Sequence, residues 1–187
     1  APLSGGKMVE TSLSAGIETY PDLLIRNGRK AGGFTGGAGV QNKYGFGRDF
    51  DAYVDDQYFG GFDHAVPAAL SWLKDNGSQP FFMFLHGYDV HGQYDLPESK
   101  RSSIAYTGAL DGSIEEQAKL REKGLANITE PGAPAHLHGD LDTTDADYLK
   151  RIYELKVRDA DERLGSFLTQ IKTMGLYDNS VIVLFSD

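Results

Sequence analysis

Three side chains that could do acid–base or metal chemistry lie close together in residues 80–94, PFFMFLHGYDVHGQY. The apolar run stops at His86, and Asp89 and His91 follow within a glycine-containing turn. A carboxylate suits a hard divalent cation, while an imidazole can hydrogen-bond to an anion or give a proton to a departing oxygen. A structural interpretation is also open, because a histidine after a strand is often a hydrogen-bonded loop residue and an aspartate there often caps the next helix.

The element that must position these side chains is the apolar run itself. Residues 80–85 are continuously apolar, which is typical of a strand covered on both faces. Upstream, a short helix is predicted from a capping Thr19, an early Pro21 and a stop at Gly28. A weak strand is predicted over residues 30–35, before a glycine-rich turn.

A second helix is predicted to begin at a capping Asp63 and to end at Asn76. Its Val66, Ala69 and Leu73 recur at helical spacing and form one apolar face. This helix would connect the weak strand to the apolar run at residues 80–85.

The hydrophobic periodicity changes twice in the second half of the chain. Residues 95–144 lack a sustained period and are rich in Gly, Pro, Ser and Asp, which predicts a long surface excursion with one short helix near residues 114–123. A strong helical period then runs from Asp145 to Gly175. The β-branched apolar run that follows predicts another buried strand over residues 180–186.

The order of these elements predicts an α/β fold with a parallel sheet, helices on both faces and right-handed crossovers. We predict that residues 80–86 and 180–186 are parallel strands of one sheet. In such sheets ligands bind beyond the carboxyl ends of the strands. The three side chains after residue 85 and the Ser-Asp pair that ends the second run would then share one rim.

Composition excludes several classes of function. The 187 residues carry a net charge of −9 with only 18 Lys and Arg, so they offer no basic surface for a nucleic acid. No apolar stretch approaches the roughly 20 residues of a membrane-spanning helix. The absence of cysteine excludes disulfides, zinc thiolate sites and a cysteine nucleophile within these residues.

Several segments resemble the sulfatase family of the alkaline phosphatase superfamily. The segment FFMFLHGYDVHGQY is similar to the sulfatase segment in which a buried strand leads to a histidine. The most specific resemblance is in YLKRIYELKVRDADERLGSFLTQIKTMGLYDNSVIVLFSD, which is similar to the family's long helix and following strand ending in Ser-Asp. Upstream, TYPDLLIRNGRKAGGFTGG and YGFGRDFDAYVDD resemble two further family segments. The resemblance implies a partial sulfatase catalytic domain over residues 1–187, with an alkaline phosphatase-like sheet.

The resemblance implies a sulfuric ester hydrolase whose substrate is a sulfated small molecule or glycan. It assigns to His91 contact with the sulfate ester and assistance to the departing alcohol oxygen. It assigns to Asp187 the first position of the family's metal-binding pair. His86 and Asp89 would contact substrate, with simple loop hydrogen bonding as the alternative. The implied metal is Ca²⁺, with Mg²⁺ or Mn²⁺ as alternatives, and the implied location is the periplasm or the outside of the cell.

Two departures from the family pattern stand out. The family's nucleophile is a formylglycine made within a C-x-P-S-R motif, and neither that motif nor the paired aspartates of the metal site occurs in these residues. The resemblance therefore implies an internal piece of a sulfatase, with the formylglycine outside this chain. Residues 35–38 read Thr-Gly-Gly-Ala where many sulfatases have Gly-Lys-x-His, which indicates a subgroup with an F-x-G-G turn. Asp161 and Gly165 are assigned to helix packing.

Three alternatives stay open at this stage. A phosphodiesterase or phosphonate monoester hydrolase of the same superfamily would share these strands and differ mainly at the nucleophile. A phosphoethanolamine transferase is less favoured, because nothing in the sequence resembles its membrane-spanning half. The third alternative is not an enzyme: the chain would act alone as a non-catalytic binding module.

Overall fold

The computed structural model describes residues 3–4, 7–8, 12–14, 16–92, 94, 96–129 and 142–186. The strands are β1 (Leu3–Ser4), β2 (Lys7–Met8), β3 (Lys30–Phe34), β4 (Ala52–Val54) and β5 (Phe81–Leu85). The helices are α1 (Tyr20–Arg26), α2 (Phe62–Asn76), α3 (Glu98–Arg101), α4 (Ile114–Thr129) and α5 (Thr143–Thr173). The chain forms two compact units, one of residues 1–88 and 162–187 and the other of residues 89–161.

The first unit contains a parallel three-stranded sheet with β3 at its centre, in the order β4-β3-β5. Lys30 lies opposite Phe81 and Phe34 lies opposite Leu85, so β3 and β5 are in register along their whole length. Both strands are where the sequence predicts them. The three-residue β4 is not predicted, because it is too short to show an apolar period. β1 and β2 form a separate antiparallel pair.

Helices cover both faces of this sheet, as predicted. Phe82 of β5 meets Tyr20 of α1 edge to face, with ring centroids 5.4 Å apart. The adjacent Phe81 meets Trp72 of α2 at 6.0 Å. Because neighbouring residues of a strand point to opposite faces, α1 and α2 lie on opposite sides of β5.

The core of the first unit lies between the sheet, α2 and the last turns of α5. Its buried residues are Phe34, Ala65, Val66, Ala69, Leu73, Phe167 and Ile171. Those contributed by α2 and α5 recur at helical spacing, so the predicted apolar stripes are the buried faces of these helices.

The starts of α1 and α2 differ in how well the sequence predicts them. Thr19 caps α1, its Oγ1 accepting a hydrogen bond from the Asp22 amide at 3.3 Å. The N-cap of α2 is Gly61, so the prediction of a capping Asp63 is wrong. Asp63 lies in the first turn, where a negative charge suits the helix dipole, and it pairs with Arg163 at 3.7 Å.

The second unit is built on α4 and the first part of α5. Asp142 and Asp145 exchange hydrogen bonds between side chains and amides and begin α5 close to its predicted start. The hydrophobic core of this unit contains the buried residues Leu96, Tyr148 and Ile152. The helix predicted near residues 114–123 is the longer α4. No helix in the described part of the chain is long and apolar enough to cross a membrane.

The prediction of a strand over residues 180–186, parallel to residues 80–86, is wrong. None of the described strands pairs with this segment, and its side chains are exposed, Val181 by 95% and Phe185 by 75%. A β-branched run favours extended backbone, but a strand also needs a hydrogen-bonding neighbour and a covered face. The packing assignment for Gly165 is also wrong, because the space around its missing Cβ is open.

The two glycines of β3 let aromatic rings lie directly on the backbone. A Cβ on Gly32 would approach the Trp72 ring to 3.0 Å. A Cβ on Gly33 would collide with the Tyr53 ring and lie 3.3 Å from Phe50. The packing of aromatic rings on both faces of β3 therefore requires glycine at positions 32 and 33.

We expect Gly33→Ala to destabilise the protein by about 1–3 kcal/mol, because the new methyl group must displace the Tyr53 ring. The matched control is Gly165→Ala, in a helix interior with open space around it, which should gain about 0.5–1 kcal/mol from better helix propensity. Urea unfolding of both variants measures the two changes. Equal shifts in the two variants would contradict the packing around β3.

Burial raises the pKa of Tyr53 to about 12, and its hydroxyl donates a hydrogen bond to the Val40 carbonyl at 2.7 Å. The unfolded chain ionises this group near its ordinary value of about 10. The stability that Tyr53 contributes is therefore complete below pH 10 and is lost as the pH rises towards 12.

We expect the free energy of unfolding to fall more between pH 10 and pH 12 in the wild type than in Tyr53→Phe. Denaturant unfolding at several alkaline pH values compares the two proteins, in which the other tyrosines are identical. Parallel curves across this range would show that Tyr53 ionises as freely in the folded protein as in the unfolded chain.

Candidate functional site

Three loops follow the carboxyl ends of the strands in the first unit: residues 35–39 after β3, residues 55–61 after β4 and residues 86–88 after β5. The backbone pairing continues one residue beyond the strands. The amide of Thr35 donates to Val54, and the amide of His86 donates to Phe34, both at 2.9 Å. The loops therefore leave the sheet side by side, at the edge where open α/β sheets bind ligands.

The turn after β3 is a packing element. Thr35 is fully buried, and its Oγ1 donates to the Val54 carbonyl and accepts from the Gly37 amide, each at 3.2 Å. A Cβ on Gly36 would collide with the Gly60 carbonyl oxygen. Residues 35–38, which carry no charged side chain, serve here to bring the loop after β4 close to β3.

Tyr88 connects all three loops, although the sequence analysis did not single it out. Its amide donates to the Gly60 carbonyl at 3.0 Å, and its hydroxyl accepts from the Gly39 amide at 3.2 Å. Its ring contacts Phe59 edge to face at 5.1 Å. The signal in the sequence that could have indicated Tyr88 was an aromatic residue two positions after His86.

His86 lies where the sequence predicts it, directly after β5. Its ring stacks on Phe84 at 6.0 Å and meets Tyr88 edge to face at 4.6 Å. His86 therefore belongs to a row of aromatic side chains at the carboxyl edge of the sheet.

Asp89 and His91 belong to the second unit, whereas His86 belongs to the first. Asp89 is buried, with 6% of its surface exposed. His91 lines a pocket of about 330 Å³ within the second unit. The other residues that line this pocket are Gly92, Tyr94, Gln117, Leu120, Arg121 and Leu149.

Gln117 holds the wall of this pocket together. Its Oε1 accepts from the Tyr94 amide at 2.7 Å, and its Nε2 donates to the carbonyls of Tyr94 and Gly112 at 3.1 and 2.8 Å. These bonds fix the segment after His91 against α4. The sequence analysis missed Gln117, because a single glutamine on a helix carries no local signal.

Arg121, one helical turn after Gln117, brings a positive charge to the pocket. Leu120, Leu149 and Tyr94 supply apolar surface. The pocket is open to solvent, and its guanidinium and imidazole can both contact an anionic group.

The predicted metal ligand Asp187 lies outside the described residues. Within the residues that are described, no group of three or more His, Asp or Glu side chains could hold a metal ion. A calcium ion needs six to eight oxygen ligands. The described residues therefore do not by themselves fit a metal site, and no chemical step is assigned to one.

A family model described as Sulfatase matches residues 14–187, a span that contains parts of both units and all the predicted site residues. No curated protein matches the chain, and no solved structure does. The match covers most of the 187 residues and agrees with the observed parallel sheet and its helices. The chain belongs to the sulfatase family.

Proposed function

We propose that the protein is a sulfuric ester hydrolase that cleaves a sulfate monoester, with His91 at the departing alcohol oxygen. The observation that carries this proposal is the sulfatase match over residues 14–187, which contains the segment of His91. The surroundings of His91 support it, because the imidazole lines a pocket that also contains a cation and an apolar wall.

The role of His91 follows from the charge that hydrolysis moves. Breaking the bond between sulfur and the alcohol oxygen leaves negative charge on that oxygen, and a proton donated there stabilises the leaving group. A histidine exposed in a pocket can reach such an oxygen. Arg121 in the same pocket would hold an anionic part of the substrate.

His86 and Asp89 are proposed to contact or orient the substrate. His86 supports this role through its place at the carboxyl edge of the sheet, beside Tyr88. Asp89 follows three residues later and is buried, so its carboxylate would act by positioning this loop.

The remaining chemistry rests on the family. Sulfatases generally use a divalent metal, and Ca²⁺ bound with the help of Asp187 is our expectation for this protein. Such a cation would supply positive charge at the sulfate group. The formylglycine nucleophile is expected outside this chain, and a periplasmic or secreted location stays a prediction.

We expect His91→Ala in the intact enzyme to lower the turnover of an activated aryl sulfate by about 10²-fold, the scale of a positioned proton donor. The loss should be larger for an alkyl or sugar sulfate, because a more basic leaving oxygen depends more on the proton. Rates for a series of sulfate esters with graded leaving groups measure this dependence.

The thermal unfolding midpoint of His91→Ala serves as the control for an intact fold. Unchanged turnover would overturn the assignment of His91, and an equal loss for every leaving group would overturn its role as a proton donor. Phosphate diesters and phosphonate monoesters belong in the same assay. Faster turnover of these esters than of sulfates would identify the alternative hydrolase of this superfamily.

The 187-residue chain should bind calcium only weakly, because the described residues form no cluster of ligands and Asp187 is a single carboxylate. In the intact enzyme, Asp187→Asn should weaken metal binding through the loss of one formal charge. Calorimetric titration with calcium measures both.

Asp161→Asn removes the same charge from an exposed position on α5 and is the matched control, with no expected effect on metal affinity. Tight one-to-one calcium binding by the 187-residue chain would mean that other residues build the site. Equal metal affinity of Asp187→Asn and Asp161→Asn would remove Asp187 from it.

A further inference from the structure

Two aromatic rings are exposed in the loop after β4. Tyr58 is 71% exposed and Phe59 is 46% exposed, and their centroids lie 4.7 Å apart in an edge-to-face arrangement. Aromatic side chains usually bury most of their surface. An exposed aromatic pair at the ligand-binding edge of a parallel sheet is therefore a candidate contact surface.

The backbone that carries this pair is firmly held. Phe59 has a φ of +64°, a left-handed conformation that costs free energy for a bulky residue. Tyr58 forms an antiparallel bridge with Gly37, and the Gly60 amide donates to the Gly36 carbonyl at 2.9 Å. Phe59 therefore keeps an unfavourable backbone conformation although both rings are exposed to solvent. Strained backbone in an exposed loop is typical of functional loops.

The pair is continuous with the candidate site. The Phe59 ring contacts Tyr88 at 5.1 Å, and Tyr88 contacts His86 at 4.6 Å. A ligand that reaches His86 would therefore extend over Tyr88 towards Phe59 and Tyr58.

The charges beside the pair indicate which part of a ligand it suits. Asp55 and Asp56 lie three and two positions before Tyr58. Asp55 Oδ2 accepts a hydrogen bond from the Asn42 amide at 2.5 Å, and the exposed Asp56 carboxylate is 2.7 Å from Nε2 of His64. Carboxylates repel a sulfate group but accept hydrogen bonds from hydroxyls. The negative face of an aromatic ring also attracts the weakly positive C–H hydrogens of a sugar ring.

We propose that Tyr58 and Phe59 form a binding platform for an uncharged sugar ring of the substrate. This proposal rests on the proposed sulfatase function and specifies its substrate class as a sulfated glycan. The rings bind the apolar face of the sugar, and the carboxylates before them bind its hydroxyls.

The test measures binding of unsulfated probes to the intact protein by NMR saturation transfer and titration. The probes are neutral hexasaccharides of glucose, galactose and mannose, with 4-nitrophenol as an aryl probe. We expect at least one hexasaccharide to bind, and Tyr58→Ala to weaken its affinity by about fivefold or more, the scale of a lost aromatic contact. Tyr58→Phe should restore most of the affinity, because it keeps the ring.

Tyr20→Ala is the matched control. Tyr20 is similarly exposed, at 62%, but it belongs to α1 and not to the loop after β4. Equal affinity in wild type and Tyr58→Ala, equal losses in the two alanine variants, or binding of 4-nitrophenol without any hexasaccharide would overturn the proposal. Because these probes carry no sulfate, the result is independent of hydrolysis. A protein that binds sugars through Tyr58 but cleaves no sulfate ester would contradict only the proposed function.

Discussion

The first unit depends on the close approach of aromatic rings to the glycines of its central strand. Gly32 and Gly33 point to opposite faces of β3, where Trp72 and Tyr53 take the space that side chains would occupy. Since protein interiors are closely packed, a methyl group at either position must move a ring, and each ring is attached to a neighbouring element. The contact between Trp72 and Gly32 sets how closely α2 approaches β3, whereas the backbone hydrogen bonds of the ladder set the spacing between β3 and β4.

The loops at the carboxyl edge also approach glycines closely, but here the group that contacts the glycine is backbone and not an aromatic ring. Gly36 and Gly37 leave room for the carbonyls of Gly60 and Gln57, so the loop after β4 reaches the turn after β3. In this loop Phe59 has an unfavourable φ, and the backbone hydrogen bonds between the loops offset the free-energy cost of that conformation. These contacts hold the loop that carries the exposed Tyr58 and Phe59 rings.

For an acidic protein, the binding of an anion depends on where its positive charges lie. The net charge of −9 disfavours the approach of a sulfate ester as a whole. In the second unit, Arg121 and His91 line the same pocket and can offset that repulsion locally. In the first unit, carboxylates accompany the exposed aromatic pair, which suits an uncharged group.

Local periodicity and short motifs predict the strands β3 and β5, the buried stripes of α2 and α5, the family and the position of His86. The tertiary structure decided what no local pattern contains: the row of rings from Tyr58 to His86, and the bonds by which Gln117 shapes the pocket of His91. It also decided against a strand at residues 180–186, whose apolar composition favours extended backbone. The physical reason is common to all three, since contacts between loops and pairing between strands are set by residues distant in sequence, whereas propensity is set by neighbours.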